Sequence, residues 1–235
     1  MERREKLYEG KAKVLYATDD PTKVIQHFKD DASAFNRKKL GTIDEKGPMN
    51  NRISSVLFAR LEQAGVPTHF IERLNERDML CHKLDMLMVE VVVRNVVAGS
   101  LARRLAMPED TPVSEPLFEL YYKSDELDDP PVTEQHAVVF GWCTQAQLDE
   151  MRRATLKVNE VLIAFFAERN IRLIDFKLEY GLDSKGRLLL GDEISPDGCR
   201  LWEMGTNKRL DKDRFRRDLG DIEEAYKDIL GRVES

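Results

Sequence analysis

The segment from Leu173 to Gly181, LIDFKLEYG, is the part of the sequence that most constrains the fold. Apolar side chains alternate in it with polar ones, so that Asp175, Lys177 and Glu179 share one parity. A period of two predicts a β-strand with one face in a core and one face carrying charge. The chain is therefore expected to contain a sheet with an acid, a base and an acid in a row on its polar face.

A second apolar run, residues 188–190, follows after the turn residues Ser184-Lys185-Gly186. The two runs predict an antiparallel hairpin, which would place Asp192 within a residue or two of Lys177 or Glu179. Two neighbouring carboxylates repel each other unless a cation joins them, and magnesium suits such a pair. A solvated hairpin face with a cross-strand ion pair explains the pattern equally well.

Composition excludes several classes of protein. The 235 residues are 42% hydrophobic, enough for a sizeable core, and the net charge of −6 argues against non-specific nucleic-acid binding. No apolar run approaches the ~20 residues of a membrane span, and the charged start MERREK does not resemble a signal peptide. Cys81, Cys143 and Cys199 form no CxxC pair, which indicates reduced thiols and a cytoplasmic protein.

The first half of the chain is predicted to be mainly strands. Apolar and polar residues alternate in the first ~30 residues, which predicts strands. Residues 32–49 show no clear period and are predicted to form a long loop. A helix then begins at a cap formed by Asn50 or Asn51 and ends at Gly65. Three further strands are predicted between residues 68 and 95.

The second half contains the stronger helix signals. Gly99-Ser100 is predicted to cap a short helix that ends at Pro108. Residues 107–136 are rich in Pro, Asp and Glu, which predicts a long surface excursion. Thr144 and Gln147 form a capping box before a long amphipathic helix. An amphipathic helical segment ends the chain.

These elements predict an α+β fold with two lobes. The smaller lobe, residues 1–85, is an antiparallel sheet that contributes to nucleotide binding. The larger lobe, residues 86–235, carries the helices and the charged hairpin. A cleft between lobes is a favoured ligand site.

Three further motifs carry candidate binding groups. In EGKAK, Gly10 could let the backbone approach phosphates while Lys11 and Lys13 neutralise them, although a basic edge strand also explains the motif. Arg94 ends an almost continuous apolar run and, with Ser100, could clamp a phosphate. An internal ion pair of Arg94 with Glu90 or another acid competes with that interpretation.

The C-terminal third adds two arginines. The composition of the SPDG segment predicts a tight turn that directs Arg200 toward the charged end of the hairpin. Arg216 lies in DKDRFRRD, where a solvated helix face interleaved with acids is the default interpretation.

Taken together, these motifs resemble those of the phosphoribosylaminoimidazole-succinocarboxamide synthase (SAICAR synthetase) family. The similarity rests on six segments in the family's order, which cover nearly the whole chain: YEGKAK, EKGPMNNR, VEVVVRNVVAGS, LIDFKLEYG, GDEISPDGCRLW and DKDRFR. The resemblance implies a two-lobed α+β fold related to the protein-kinase and ATP-grasp types. It also implies an ATP- and magnesium-dependent condensation of carboxyaminoimidazole ribonucleotide (CAIR) with L-aspartate, and a homo-oligomer, with a dimer favoured.

The resemblance also implies roles for individual residues. The residues expected at ATP are Gly10, Lys11, Lys13, Lys83, Met86, Glu179 and Asp192. Glu179 and Asp192 would hold magnesium. The residues expected at the ribonucleotide are Arg94, Ser100, Lys177, Arg200 and, at its phosphate end, Arg216. Asp175 and Lys177 are the expected catalytic residues, with Lys177 pinned between Asp175 and Glu179. Asp175 would either organise the ribonucleotide contacts or act as a general base, and the sequence leaves both roles open.

Two positions depart from the family pattern. Met88 stands where proline is common, and Asn36 stands where some members carry aspartate. Two other functions fit a related fold: a small-molecule or protein kinase, and a non-catalytic nucleotide sensor. The chain lacks HRD and DFG motifs, which argues against a protein kinase, and its complete set of acidic and basic residues argues against a sensor.

Overall fold

A computed structural model describes residues 1–34 and 38–235. Asn36 lies outside the described residues. Within them, thirteen strands and six α-helices form an α+β fold with three antiparallel sheets. No helix in the described part of the chain is both long enough and apolar enough to cross a membrane.

The first sheet is built from the N-terminal strands in the order β1-β2-β3-β7-β6. Its strands are β1 (Lys6–Glu9), β2 (Lys13–Ala17), β3 (Lys23–Phe28), β6 (Phe70–Arg73) and β7 (Asp78–His82). The sequence predicts strands in these regions, which are present, and Val24, Ile25 and Phe28 are buried.

The prediction of a structureless loop over residues 32–49 is wrong. A hairpin of β4 (Asp31–Ala34) and β5 (Lys39–Thr42) occupies much of it, and helix α1 (Lys46–Gln63) begins before Asn50. Neither Asn50 nor Asn51 caps the helix, because both lie inside it with buried side chains. Gly-Pro in the first turn concealed this start, although proline is tolerated there because the first turn leaves its N–H groups unbonded.

The second sheet has the order β10-β9-β8-β11-β12, with β13 also paired to β11. Its strands are β8 (Asp85–Val96), β9 (Pro112–Tyr122), β10 (Pro131–Val132), β11 (Ile171–Leu182), β12 (Leu188–Leu190) and β13 (Cys199–Glu203). The predicted hairpin is confirmed, since Tyr180 pairs with Leu190 and Gly181 with Leu189.

The surface excursion predicted for residues 107–136 is also wrong in part. Strand β9 runs along β8 for most of its length and buries Leu120 and Tyr121. Pro112 and Pro116 disguised it, because prolines are found mainly at the ends, bulges and edges of strands. Pro112 is the first residue of β9, and the register shifts in the stretch that contains Pro116.

The remaining helices are α2 (Gly99–Leu105), α3 (Glu134–Val139), α4 (Gln145–Ala167), α5 (Asp213–Arg216) and α6 (Ile222–Glu234). The Thr144–Gln147 capping box is present in α4. Ser100 does not cap α2, whose N-cap is Ala98 without a side-chain bond.

One hydrophobic cluster joins the two large sheets. It contains Phe28 and Cys81 from the first sheet, Leu57 from α1, and Val91 and Phe176 from the second. The division into lobes at residues 85 and 86 stays a prediction, although the first sheet ends at His82 and the second begins at Asp85. The shared cluster shows that the two sheets pack around common apolar contacts.

Candidate active site

Strand β11 presents the charged face that the sequence predicts. Ile174, Phe176 and Leu178 are at most 1% exposed and face the apolar interior. Their neighbours Asp175, Lys177 and Glu179 carry the polar contacts. Because alternate residues of a strand lie about 7 Å apart, this one face joins two separate groups of charged side chains.

The first group is the lysine–carboxylate cluster. Its members come from five strands or their ends and lie where the first sheet meets the second: Lys13, Glu90, Lys123, Lys177, Glu179, Asp192 and Glu193. Lys177 Nζ contacts both predicted metal ligands, Glu179 Oε1 and Asp192 Oδ2, the latter at 2.9 Å. The hairpin therefore brings these two carboxylates to one cation, as the register predicts.

Lys13 approaches the same carboxylates from the first sheet. Its ammonium contacts Asp192 directly and lies 3.1 Å from Glu193 Oε1. Gln26, also on the first sheet, donates to the backbone oxygen of Asp192 at 3.1 Å. Asp192 is thus held from both sheets, in a left-handed conformation with φ of 61° that only a few residue types tolerate.

Contacts between the lysines and carboxylates offset the effect of burial on Asp192 and Lys177. Burial opposes ionisation of Asp192, but Lys13 and Lys177 hold its pKa well below the usual range. Burial likewise opposes the charged form of Lys177, yet Asp192, Glu179 and Glu90 raise its pKa well above its ordinary value. For Glu90, burial dominates and raises the pKa.

The donor set of this cluster fits magnesium. Glu179 and Asp192 both contact Lys177 Nζ, so the two carboxylates already converge on one position of positive charge. Within residues 1–34 and 38–235, no group of three or more His, Cys, Asp and Glu side chains forms a metal cage. Magnesium needs no such cage, because it binds through one or two carboxylates together with phosphate oxygens and water.

From the sequence, Lys177 is expected to lie between Asp175 and Glu179, but in the structure it does not contact Asp175. Its carboxylate partners are Glu179, Asp192 and, at 3.6 Å, Glu90. The expectation was wrong because it considered one strand alone, whereas the cross-strand partner lies closer than the i−2 neighbour.

Asp175 belongs instead to the second group, the arginine cluster. This cluster comprises Arg94, Asp175, Arg200, Asp213 and Arg216. Asp175 Oδ2 accepts from Arg94 and from Arg200, at 2.9 Å each, and Oδ1 accepts from Arg200 at 3.1 Å. Asp213 accepts from Arg200 at 2.9 Å and from Arg216 at 2.7 Å. The two carboxylates thus fix the directions of three guanidinium groups.

Arg94 has an internal partner for each of its nitrogens. Nε donates to Glu119 and Nη1 donates to Asp175. Nη2 donates to Tyr121 and, at 3.1 Å, to Ser100 Oγ. The side chain is 3% exposed. The internal ion pair considered from the sequence is therefore present, with Glu119 and Asp175 rather than Glu90. A direct contact of Arg94 with a ligand requires the exchange of one of these bonds.

Beside the arginine cluster lies a cavity of about 480 Å³. Its lining residues are Gly99, Ser100, Ala102, Arg103, Met107, Glu109, Arg200, Asp213, Arg216 and Arg217. Three of the five residues predicted to contact the ribonucleotide, Ser100, Arg200 and Arg216, share this wall. The cavity is rich in guanidinium groups and can accept an anion such as a phosphate.

Gly99 allows Arg200 to reach this cavity. A Cβ atom at Gly99 would lie 2.4 Å from the Arg200 guanidinium carbon, and the residue has φ of +56°. Both the close approach and the left-handed backbone favour glycine.

The other predicted ATP residues lie outside both clusters. Gly10 donates its N–H to Lys13 O at 2.8 Å, within the turn that joins β1 and β2. Lys11 contacts Asp125 at 2.6 Å, Lys83 is exposed, and Met86 packs over Gly181. These positions stay predictions for ATP binding.

Sequence reasoning missed Glu119, Lys123, Glu193 and Asp213 as site residues. Lys123 contacts Glu179, and Glu193 accepts from Ser195 at 2.7 Å while facing Lys13. Glu119 and Lys123 lie in the segment whose strand was not predicted. Asp213 lies in the quoted motif DKDRFR, where only the arginine was considered.

Comparisons with known proteins agree with this architecture. The family model for SAICAR synthetase matches residues 6–233. Phosphoribosylaminoimidazole-succinocarboxamide synthase from Magnetococcus marinus is 57% identical over 235 residues, covering 99% of this chain and 97% of the relative. The corresponding protein from Chlorobium chlorochromatii is 55% identical, with 99% of each chain covered.

Solved structures show the same relation. A phosphoribosylaminoimidazole-succinocarboxamide synthase from Ehrlichia chaffeensis superposes with a TM-score of 0.96 at 48% identity, covering 98% of both chains. A SAICAR synthetase in complex with ADP has a TM-score of 0.94 at 48% identity, covering 97% of both chains. The predicted α+β fold class is confirmed, and the chain belongs to the SAICAR synthetase family.

Proposed function

We propose that this protein is an ATP-dependent ligase that joins CAIR to L-aspartate, producing SAICAR, ADP and phosphate in de novo purine biosynthesis. Family membership over residues 6–233 and relatives of that name above 50% identity support the reaction. The similar structure in complex with ADP supports a nucleotide site. One structural observation carries the proposal: a single face of β11 joins the arginine cavity to the lysine–carboxylate cluster.

The reaction needs activation because a carboxylate is a poor electrophile and oxide a poor leaving group. Phosphorylation of the imidazole carboxylate by ATP provides a leaving group, and the neutral amine of aspartate then displaces phosphate. The protein contributes mainly by holding the reactants in position and by balancing the developing charge.

The lysine–carboxylate cluster is suited to the transferring phosphoryl group. Glu179 and Asp192 would hold magnesium, which when bound neutralises phosphate oxygens. Lys13 reaches the cluster from the first sheet and would contact the ATP phosphates. Lys177, whose pKa is raised well above its ordinary value, would stay charged and bind the substrate carboxylate.

The arginine cluster is suited to the ribonucleotide. Ser100, Arg200 and Arg216 line the cavity that would receive its phosphate. Arg94 orients the Ser100 hydroxyl and would reach the substrate by exchanging that bond. Asp175 accepts three hydrogen bonds from arginines, and its role is to direct them rather than to remove a proton.

Mass detection of SAICAR tests the proposal directly. Purified protein with ATP, magnesium, CAIR and aspartate should form the product, and each omission should abolish it. ADP release without aspartate would instead indicate a kinase, and ATP binding without any product would indicate a nucleotide sensor.

We also propose a cellular location and an oligomeric state for the enzyme. A cytoplasmic location accords with three free, buried cysteines. A homo-oligomer, with a dimer favoured, is expected from the family resemblance. Light scattering of the purified chain measures the oligomeric mass, and a monomer at micromolar concentration would contradict this expectation.

A further inference from the structure

An ion pair on the cavity wall has no part in the roles proposed above. Arg217 follows Arg216 at the end of α5, and Glu109 lies beyond the end of α2. Both line the cavity. Arg217 Nη1 donates to Glu109 Oε2 at 2.9 Å and Nη2 donates to Oε1, so the pair is bidentate. A carboxylate thus already neutralises one guanidinium in a cavity suited to an anion.

Glu109 would keep other partners if Arg217 moved away. The backbone N–H of Gly99 donates to Glu109 Oε1 at 3.0 Å, and Arg209 Nη2 donates to Oε2 at 3.3 Å. The guanidinium carbon of Arg209 lies 4.0 Å from the centroid of the Trp202 ring, and Arg209 also donates to the backbone oxygen of Asn207. Loss of Arg217 therefore leaves the Glu109 carboxylate hydrogen-bonded.

Arg217 is the more exposed member of the pair. Its side chain is 36% exposed, and its other carboxylate contact, with Asp213, is a longer 3.5 Å. Arg200 and Arg216, in contrast, are each bound to Asp213 at less than 3 Å. A phosphate dianion offers more charge and more acceptor oxygens to a guanidinium than one carboxylate does.

We infer that Arg217 is a further ribonucleotide-binding residue, which Glu109 holds until the phosphate of the substrate takes its place. The inference rests on the proposed function, because it requires a phosphorylated ligand in this cavity. Arg217 then determines preference for the ribonucleotide over the riboside, and Glu109 weakens phosphate binding by competing for the same guanidinium.

Calorimetric titration of the full-length protein with CAIR and with its dephosphorylated riboside tests the inference. Arg217→Gln should weaken ribonucleotide binding about tenfold, the value of one charge-assisted contact, and leave riboside binding unchanged. Glu109→Gln should strengthen ribonucleotide binding. In the double variant Glu109→Gln/Arg217→Gln, the gain in ribonucleotide affinity from Glu109→Gln should vanish, because Glu109 competes with the phosphate only for Arg217.

Arg153→Gln and Glu150→Gln, two exposed changes on α4, are the matched controls. Unchanged ribonucleotide binding in Arg217→Gln would overturn the inference. The inference would also be overturned if Glu109→Gln weakened the binding of both ligands, with Arg217 present and with Arg217 replaced. Glu109 would then serve only to hold the Gly99 backbone. Product formation by the wild-type protein tests the ligase function separately, so failure of one is distinguishable from failure of the other.

Discussion

Replacement of Asp175 by asparagine separates an orienting role from a proton-transfer role. The carboxylate is 4% exposed and accepts from two guanidinium groups that point into the arginine cluster. Asparagine has the same shape but no charge, and its amide N–H groups would face the N–H donors of Arg94 and Arg200. Removing one partner of a buried ion pair costs about 3–5 kcal/mol.

We expect the lower end of that range, about 3 kcal/mol, because each arginine keeps a second carboxylate. Arg94 retains Glu119 and Arg200 retains Asp213. With a urea dependence near 3 kcal/mol per molar, the unfolding midpoint should fall by about 1 M. The KM for the ribonucleotide should rise while the KM for ATP changes little.

Urea unfolding without ligands and steady-state kinetics measure the two effects. The control is Asp228→Asn, which removes a partly exposed i,i+4 pair with Arg232 and should change stability by less than about 1 kcal/mol, because Arg232 keeps Glu203 as a partner. Unchanged stability together with a loss confined to kcat would refute the reasoning. Asp175 would then act on the reacting atoms.

Four further outcomes are expected. Asp192→Asn should abolish turnover at saturating magnesium while circular dichroism stays native, because asparagine tolerates the φ of 61° found there. Arg94→Lys should raise the KM for the ribonucleotide far more than for ATP, because a point charge replaces a fork. Gly99→Ala should destabilise the fold by about 1–3 kcal/mol and weaken ribonucleotide binding, because its Cβ would lie 2.4 Å from the Arg200 guanidinium. Burial opposes ionisation of Asp213, but Arg200 and Arg216 lower its pKa from 3.8 to about 2. The stability that the Asp213 carboxylate contributes is therefore complete above pH 3.8 and is lost as pH falls through 2. This pH dependence of the urea midpoint should be absent from Asp213→Asn.

Each of these outcomes has a contrary result. Near-normal activity of Asp192→Asn would remove the metal assignment, and equal KM changes for both substrates would remove the ribonucleotide role of Arg94. A fully stable, tightly binding Gly99→Ala variant would show that Arg200 moves freely. Parallel acid dependence in wild type and Asp213→Asn would show that other carboxylates determine acid stability.

Local patterns predicted most elements because their signals lie within a few neighbouring residues. The alternation in β11, the capping box of α4 and the turn at Ser184–Gly186 each depend on short-range geometry. Predictions failed where proline obscured a pattern, at the start of α1 and along β9. Proline is tolerated at those positions only because of its place in the first turn or near a register shift, which the sequence does not reveal.

The sequence by itself determined the family, the fold class and the acidic and basic residues on the face of β11. Only the tertiary structure decided which charges neutralise which. It assigned Asp175 to two arginines, Lys177 to Glu179 and Asp192, and Glu119 to Arg94. The physical reason is that buried charges are paired across strands and sheets, between residues up to 179 positions apart in the chain.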